Sequence, residues 1–351
     1  MGFAFSFRLR SSSYAGQDDP TKSGLPILPN LPRYETVAVA YCGCMSHALH
    51  IRQTRQSLNL GENVLRGDMI VSYHPSFESE KNIVCAGRDP GPEDLAAIRA
   101  ADAVVLPQGC KRSLYEMAHR NCTNVFPNFN TRFNYAGKIG QARLFGETNT
   151  AHPETRTFLS VDGFFEKYEA LPRQAAFEFP LVFKFNWGGE GDHVYLMASL
   201  DDLDKALQTA VKFEKSGRSG FLLQKHIPSG NRSLRVVVIG QTYISYWRIH
   251  HCRESFQSGL AKGAVIDADS DPDLQHAAIT KVKAFCRDTG INLAGFDVLF
   301  ASEPENNVPL LLEINYYFGR RGLGGSERFY EILNTEIHKW IDGIGLPCRK
   351  K

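Results

Sequence analysis

The sequence predicts an α+β fold preceded by a small α/β domain with a parallel sheet. Apolar strand-like segments alternate with helix-like segments up to about residue 126, a pattern typical of parallel sheets. Beyond that point strand-like segments follow one another in pairs, with helices between the pairs. In addition, acidic and amide side chains interrupt two late apolar strands, which indicates a functional site on the second part of the chain.

The elements of the first part follow from local patterns. Residues 36–41, 69–73 and 103–107 are short runs of apolar and β-branched residues, and they predict strands. Residues 47–58 and 92–100 predict helices between these strands. No G-x-G-x-x-G motif follows the first strand, so the fingerprint of a dinucleotide-binding fold is absent.

Composition narrows the class of protein. The chain has 351 residues, 43% of them hydrophobic and 22% charged, which suits a globular protein of two or three lobes. The net charge is +2 and the basic residues are scattered, so the sequence predicts no nucleic-acid partner. No segment is long and apolar enough to span a membrane. Eight unevenly spaced cysteines favour a reducing compartment, and we predict a cytoplasmic location.

The N-terminal region contains two features without a clear role. Residues 1–33 lack the apolar core of a secretory signal and predict a flexible extension, with weak organelle targeting as an alternative. Cys42, Cys44, His47 and His50 bring four zinc-ligand types together, but their spacing is not that of a standard zinc site. Buried thiols beside surface histidines are the simpler interpretation.

Acidic and amide side chains cluster on two strands near the C-terminus. Asp297 interrupts the apolar segment 295–300, and Glu313 and Asn315 interrupt the segment 310–315. Glu313 and Asn315 are two residues apart on a strand and therefore share one face. A short turn between the strands would place Asp297 beside them, giving the oxygen-only ligand set that Mg²⁺ prefers. A solvated acidic strand face is the alternative.

A glycine-rich turn follows a strand that contains a lysine. Lys184 interrupts the apolar segment 181–185, and Gly188, Gly189 and Gly191 follow it. Backbone N–H groups of such a turn can approach phosphate oxygens closely, and the lysine adds positive charge. The turn does not match G-x-x-x-x-G-K-[ST], so it is no Walker A loop, and a plain hairpin is the alternative.

Three further segments fit phosphate and nucleotide binding. Lys138 lies at the start of a predicted helix and offers a second lysine. Residues 221–227 form a predicted strand that ends before Pro228, and its end suits the pairing of backbone groups with adenine. Arg235 lies near the start of the strong strand at 232–240, where a guanidinium can grip a phosphoryl group.

Taken in order, these segments resemble the ATP-grasp superfamily, and most closely its RimK-like and glutathione-synthetase-like carboxylate–amine ligases. The resemblance covers about residues 103–340 and rests on the Lys138 helix and the segments 180–191, 223–227, 234–240, 294–297 and 312–319. It implies an N-terminal α/β domain at residues 34–126. It also implies an ATP-grasp domain at residues 127–345, in which two α+β lobes clamp ATP.

The resemblance also implies roles for individual residues. Lys138, Lys184 and the glycine-rich turn would contact the phosphates of ATP, and Arg235 would contact the transferring phosphoryl group. Asp297, Glu313 and Asn315 would hold Mg²⁺, with Mn²⁺ as an alternative ion. Four consecutive residues would line the adenine pocket: Gln224, Lys225, His226 and Ile227.

Some positions depart from the family pattern. Lys225 stands where glutamate is common, and Ser233 stands two residues before Arg235 where aspartate is common. Gln257 and Gly259 replace an arginine and an asparagine in a loop that borders the acceptor site. The identity of the substrates therefore does not carry over from relatives.

The predicted function is an ATP- and Mg²⁺-dependent ligase that joins a carboxylate to an amine through an acyl phosphate and releases ADP. The predicted partners are small-molecule or peptide carboxylates and amines, and the sequence leaves homo-oligomer formation open. Arg253, Arg320 and Arg321 follow predicted site strands and suit an acidic substrate, although solvated loop charges are the alternative. A kinase of the same fold and a non-catalytic nucleotide-binding module are the alternative functions.

Overall fold

The structure is a computed structural model that describes residues 68–85, 87–168, 178–189, 191–249, 264–300 and 307–346. Several predictions lie outside the described residues: the extension 1–33, the strand 36–41, the helix 47–58, the group of Cys42, Cys44, His47 and His50, and Arg253. The predicted domain limits at residues 34, 126 and 345 stay predictions.

The first described part is a four-stranded parallel sheet. Its strands are β1 (Ile70–Ser72), β2 (Lys81–Asn82), β3 (Ala103–Val105) and β4 (Val125–Phe126), in the order β2-β1-β3-β4. Helix α1 (Pro92–Ala100) precedes β3, and helix α2 (Arg112–Asn121) precedes β4. The predicted parallel α/β arrangement is therefore confirmed for residues 68–126, with strands slightly shorter than predicted.

Two helices connect this sheet to the rest of the chain. They are α3 (Asn130–Asn134) and α4 (Gly137–Glu147). Helix α4 contacts both of the antiparallel sheets that follow. Gln141 bonds the backbone of Ile314 in one sheet, and other residues of the helix pack near Thr155 in the other.

The second sheet is antiparallel and has four strands. They are β5 (Thr155–Phe158), β6 (Leu181–Phe185), β7 (Val194–Met197) and β8 (Phe221–Lys225), in the order β5-β8-β6-β7. Helices α5 (Val161–Tyr168) and α6 (Leu200–Lys215) lie between strands in the sequence, and the apolar faces of both helices join the aromatic core of this sheet. Strand β6 lies between two neighbours and is buried along its whole length.

The third sheet is also antiparallel and has five strands. They are β9 (Arg232–Ile239), β10 (Thr242–Ile249), β11 (Val265–Asp267), β12 (Leu293–Leu299) and β13 (Leu310–Asn315), in the order β11-β10-β9-β12-β13. Helix α7 (Pro272–Thr289) packs on one face through Phe285, which contacts Phe296. A short 3₁₀ turn (Arg321–Leu323) and helix α8 (Ser326–Gly343) follow β13.

A two-residue turn sets the register of β9 and β10. Ile239 pairs with Thr242, and Gly240 adopts a φ of +58° in the turn between them. The buried side chain of Glu336 on α8 accepts hydrogen bonds from the Gln241 backbone N–H at 2.6 Å and from the Thr242 hydroxyl at 2.9 Å. The turn is therefore held by its own backbone conformation and by a buried carboxylate.

Two hydrophobic cores hold the described part of the chain together. The larger core includes residues of the parallel sheet, the five-stranded sheet and helices α7 and α8. The smaller core belongs to the four-stranded sheet and its two helices. The predicted change to paired strands after residue 126 is confirmed. No helix among the described residues is long and apolar enough to cross a membrane.

Candidate active site

Four polar side chains form a row across the five-stranded sheet. Asp297 on β12 is the register partner of Glu313 on β13 and of Arg235 on β9. Arg235 is in turn the partner of Tyr246 on β10. Register partners on neighbouring strands point to the same face, so all four side chains lie on one face of the sheet. Asn315 shares that face because it follows Glu313 by two residues.

The Asp297 carboxylate is held by two arginines and an amide. Arg235 Nε donates to Asp297 Oδ1 at 2.6 Å, and Arg248 Nη2 donates to the same oxygen at 2.7 Å. Asn315 Nδ2 donates to Asp297 Oδ2 at 3.2 Å. Burial alone raises the pKa of the Asp297 carboxyl, but Arg235 and Arg248 outweigh burial and hold this pKa below its usual range. Asp297 is therefore a carboxylate in the folded protein at neutral pH.

Sequence reasoning missed Arg248. This arginine is buried on β10, two residues after Tyr246, and its Nη2 also donates to the Ser233 hydroxyl at 2.8 Å. Ser233 is one of the positions at which the sequence departs from the family pattern, and its hydroxyl accepts a hydrogen bond from Arg248. The signal that predicts this contact is the two-residue turn at Gly240 and Gln241, since the turn fixes which residues of β9 and β10 are partners.

Gly295 leaves room for the Arg235 side chain. A Cβ atom at this position would lie 3.0 Å from Arg235 Nη1 and 3.1 Å from Phe318 Cβ. The Arg235 guanidinium passes close to the backbone of Gly295 and reaches Asp297, which lies on the same strand as Gly295. A larger residue at position 295 would push the arginine away from the carboxylate.

The oxygen donors on this face fit a hard divalent cation. Asp297 and Glu313 are direct partners, and Asn315 contacts Asp297, so two carboxylates and one carboxamide converge. Within the described ranges no group of three or more His, Cys, Asp or Glu side chains converges, so a metal here depends on the Asn315 carboxamide as well. Such oxygen-only ligand sets suit Mg²⁺, which keeps several waters as further ligands.

Two lysines lie close to these carboxylates. Lys184 is buried near the end of β6, and burial lowers the pKa of its ammonium to about 8, an effect that the nearby Glu313 opposes. Burial also lowers the pKa of Lys138, again opposed by Glu313. Lys184 is buried because β6 lies between two neighbouring strands, β8 and β7.

Lys138 ties the start of α4 to the glycine-rich turn. Its Nζ donates to the carbonyl oxygens of Trp187 at 3.1 Å and Gly188 at 2.7 Å. Asn186, at the start of the same turn, accepts the Ile139 backbone N–H through its side-chain oxygen at 3.0 Å. Gly137 approaches so closely that a Cβ there would lie 2.4 Å from Asn186 Oδ1. The turn and the helix end therefore form one connected unit.

The glycine-rich turn itself has the predicted position between β6 and β7. Gly188 and Gly191 adopt φ angles of +87° and +83°, which favour glycine, and Gly189 lies between them in an open position. The backbone at Gly189 is therefore accessible, and the neighbouring Gly188 carbonyl accepts a bond from Lys138.

A cavity joins the two antiparallel sheets. It is a small pocket that is partly open to solvent. Lys184, Leu222 and Gln224 line it from the four-stranded sheet, and Leu312 and Glu313 line it from β13. Lys138 and Gln141 of α4 complete the wall, so predicted phosphate, adenine and metal residues meet in one space.

The predicted adenine residues lie at the end of β8. Gln224 is buried and its Nε2 donates to the Thr155 hydroxyl at 2.9 Å. Lys225 exposes its side chain, while its backbone N–H donates to the Glu154 carbonyl at 2.8 Å. His226 and Ile227 are half-buried beyond the strand. Gln224 alone of these four side chains lines the cavity.

The predicted acceptor arginines lie after β13. The guanidinium of Arg320 stacks at 4.4 Å over the ring centre of Phe329 and at 4.5 Å over that of Tyr330. Arg321 is exposed in the 3₁₀ turn. Neither arginine is within ion-pair distance of a carboxylate among the described residues. Within the described residues, neither positive charge is therefore compensated by an ion pair.

Comparison with known proteins identifies the family. The chain matches the model of the RimK-like ATP-grasp domain over residues 153–341, more than half of its 351 residues. The chain belongs to the RimK-like ATP-grasp family, as its motif order predicted. A comparison with curated protein sequences finds no match.

Solved structures share the fold. The ADP complex of PurK, N5-carboxyaminoimidazole ribonucleotide synthetase, is 13% identical with a TM-score of 0.52, covering 80% of this chain and 71% of that chain. The N5-carboxyaminoimidazole ribonucleotide synthetase from Thermotoga maritima is 14% identical with a TM-score of 0.51, covering 80% and 69%. A RimK domain ATP-grasp protein from Sphaerobacter thermophilus DSM 20745 is 17% identical with a TM-score of 0.49, covering 67% and 81%. The predicted ATP-grasp fold with a preceding α/β parallel sheet is confirmed.

Proposed function

We propose that this protein is an ATP-dependent, ADP-forming ligase that joins a carboxylate to an amine. The observation that carries the proposal is the row of Glu313, Asp297 and Arg235 beside the cavity that contains Lys184 and Lys138. An acyl-phosphate ligase needs cations around a transferring phosphoryl group and oxygen ligands for a metal that accompanies the nucleotide. Membership of the RimK-like ATP-grasp family supports the same reaction.

The nucleotide would lie across the cavity between the sheets. Its adenine would contact the end of β8 at Gln224, Lys225, His226 and Ile227, and its phosphates would reach Lys138, Lys184 and the glycine-rich turn. The buried position of both lysines supports this assignment, because desolvated ammonium groups attract phosphate strongly. Lys138 would exchange its present bonds to the Trp187 and Gly188 carbonyls for bonds to phosphate.

Mg²⁺ would bind to Asp297, Glu313 and Asn315, with Mn²⁺ as an alternative. When bound, the ion supplies positive charge that polarises the phosphoryl oxygens. Asp297 already accepts bonds from Arg235 and Arg248 through Oδ1, so it would offer Oδ2 to the ion. The Asn315 side chain would then turn its oxygen toward the ion, since its amide oxygen and nitrogen exchange places by rotation.

The reaction has two steps. A carboxylate oxygen of the substrate attacks the γ-phosphorus of ATP, the bond from that phosphorus to the bridging oxygen breaks, and ADP leaves. An amine nitrogen then attacks the acyl carbon, its proton passes to solvent or phosphate, and inorganic phosphate leaves. Arg235 and Arg248 would neutralise the negative charge that develops during both steps, and positioning rather than covalent catalysis would supply the rate enhancement.

An ADP-release screen tests this function. Amino acids and peptides are supplied as carboxylates with ATP and Mg²⁺, and hydroxylamine serves as a surrogate amine. We expect carboxylate-dependent ADP release together with a hydroxamate product, which requires an acyl phosphate. Phosphorylation of a substrate hydroxyl without hydroxamate would instead identify a kinase. The variant Glu313→Gln is the matched control for background hydrolysis.

The cytoplasmic location and homo-oligomer formation stay predictions.

A further inference from the structure

One buried phenol on the site face has no hydrogen-bond partner among the described residues. Tyr246 is 1% exposed, and its Oη meets no donor or acceptor in the part of the chain that the structure describes. Arg248 Nε, on the same strand and the same face, is also buried and has no partner within the described ranges. A buried polar group without a partner is destabilising, so two of them on the same face of one strand point to a missing ligand.

The chemistry of the neighbours shows what kind of group is missing. Arg235 is the register partner of Tyr246, and Arg248 lies two residues further along β10. Guanidinium groups carry hydrogen-bond donors only, so neither arginine can accept a hydrogen bond from the phenol hydroxyl. Asp297 Oδ1 is already shared by both arginines, and Ser233 accepts from Arg248. The β10 and β9 end of this face is therefore rich in donors, whereas its carboxylates lie on β12 and β13.

Packing holds the Tyr246 ring in this position. A Cβ atom at Gly322, in the 3₁₀ turn after β13, would lie 2.1 Å from Tyr246 Cζ. The ring thus lies directly against the Gly322 backbone, and any larger residue at that position would displace it. Burial raises the pKa of the phenol, which keeps Tyr246 protonated and able to donate at neutral pH.

We propose that Tyr246 Oη and Arg248 Nε form a subsite for an oxyanion, a carboxylate or a phosphate, with Tyr246 as a specificity-determining donor. This subsite lies next to Arg235 in the row described above. The choice between carboxylate and phosphate rests on the proposed function, in which the bound anion is the carboxylate of the substrate. A phenol selects an acceptor oxygen at one defined point, whereas the arginines attract any anion.

Anion binding tests the proposal without any turnover. The full chain is titrated by calorimetry with sodium acetate and, separately, with inorganic phosphate, at ionic strength held constant with chloride. The variant Tyr246→Phe removes the hydroxyl and keeps the ring against Gly322. The matched control is Tyr243→Phe, which removes a hydroxyl from the opposite face of the same strand.

We expect Tyr246→Phe to weaken the binding of at least one anion about tenfold, and Tyr243→Phe to leave both affinities unchanged. A loss confined to acetate identifies the carboxylate as the occupant, and a loss confined to phosphate identifies a phosphoryl group. Equal anion affinities in Tyr246→Phe and the unmodified protein, or no binding of either anion to the unmodified protein, would overturn the proposal.

The unfolding temperature supplies a second readout. A purely structural hydroxyl would make Tyr246→Phe less stable, whereas an anion-binding hydroxyl would not. Because the phenol oxygen has no partner in the described part of the chain, Tyr246→Phe should unfold at the same temperature as the unmodified protein or higher when no acetate or phosphate is present. A lower unfolding temperature would mean that the hydroxyl has a partner inside the protein, and the proposal would fail. If anion affinity depends on Tyr246 while the ligase screen yields no product, only the proposed function fails.

A substitution outside the subsite tests the packing. Gly322→Ala should displace the Tyr246 ring and weaken anion binding as Tyr246→Phe does. Gly343→Ala is the control, since a Cβ there meets no atom within 4 Å. Unchanged anion affinity in Gly322→Ala would contradict the assignment of the subsite to the position that Tyr246 occupies.

Discussion

Arg235 and Asp297 are register partners on neighbouring strands, and the Arg235 Nε bonds the Asp297 carboxylate at 2.6 Å with both side chains buried. Arg248 bonds the same carboxylate oxygen from the next strand. The carboxylate therefore has its counter-charges built into the sheet. Replacing Asp297 should therefore affect stability, whereas replacing Glu313 should mainly affect metal and nucleotide binding.

Asp297→Asn should destabilise the fold. Removing the carboxylate leaves two buried guanidinium groups without compensation, which costs about 3 kcal/mol of unfolding free energy. Urea unfolding at pH 7 measures the effect, and Asp342→Asn, at an exposed position on α8, is the control. Equal stability of Asp297→Asn and the unmodified protein would contradict the role of Asp297 as an anchor for the arginines.

The same pair predicts a dependence on pH. The pKa of Asp297 is lowered by folding, so its contribution to stability is present above the pKa of an unfolded aspartate, about 3.9, and disappears as the pH falls through the lower folded value. The stability difference between the unmodified protein and Asp297→Asn should therefore shrink below about pH 4. Urea unfolding of both proteins from about pH 7 down to about pH 3 checks this, because an unfolded aspartate titrates around pH 3.9, and a difference that grows toward low pH would contradict it.

Lys184→Met should weaken ATP binding. Lys184 lines the cavity and is buried next to Glu313, so its loss should raise the Kd for ATP at least tenfold, or about 1.4 kcal/mol, in calorimetry. Lys212→Met, an exposed substitution on α6, should leave the Kd unchanged. An unaltered ATP affinity in Lys184→Met would remove this lysine from the nucleotide site.

Lys184 also has a signature in alkaline stability. Its pKa is lowered to about 8 in the folded protein, against about 10.4 in an unfolded chain, so the unfolded state binds more protons between these values. Stability owed to Lys184 therefore rises as the pH increases from about 8 to about 10. Unfolding curves for Lys184→Met should lack this rise relative to the unmodified protein, and parallel curves for the two proteins would contradict the burial of a charged lysine.

Glu313→Gln should abolish the effect of Mg²⁺ on nucleotide binding. Glu313 has no ion pair among the described residues, so this substitution should cost less stability than Asp297→Asn. Calorimetry of ATP with and without Mg²⁺ should show a gain in affinity for the unmodified protein and none for the variant. Undiminished turnover of Glu313→Gln at ordinary Mg²⁺ concentration would remove the metal site from this position.

Replacing both Arg320 and Arg321 by alanine should raise the KM for the carboxylate substrate far more than the KM for ATP. Both arginines lack a carboxylate partner among the described residues, which leaves their charge available to an acidic substrate. The single variant Arg321→Ala separates charge from packing, since Arg320 alone stacks on Phe329 and Tyr330. An effect confined to ATP, or no effect, would contradict an acidic substrate.

Sequence alone determined the elements that carry the candidate site. Strands β6 and β13 occur at their predicted bounds, because an apolar run with one or two polar interruptions is a local pattern that burial in a sheet requires. The pairing of Asp297 with Glu313 was also predictable, since a short connection makes neighbouring strands pair. The family followed from the order of these segments along the chain.

Tertiary structure alone decided which side chains meet across the sheets. Arg248 and Tyr246 reach the site because the turn at Gly240 and Gln241 sets their register against β9, and a shift of one residue would turn both to the opposite face. Gln141 bonds the Ile314 backbone from a helix 173 residues earlier in the chain, and no local pattern contains that contact. Local preferences specify strands and helices. Register and the packing of one sheet against another depend on residues far apart in the sequence, and the pattern of a single sequence does not show which of these residues meet.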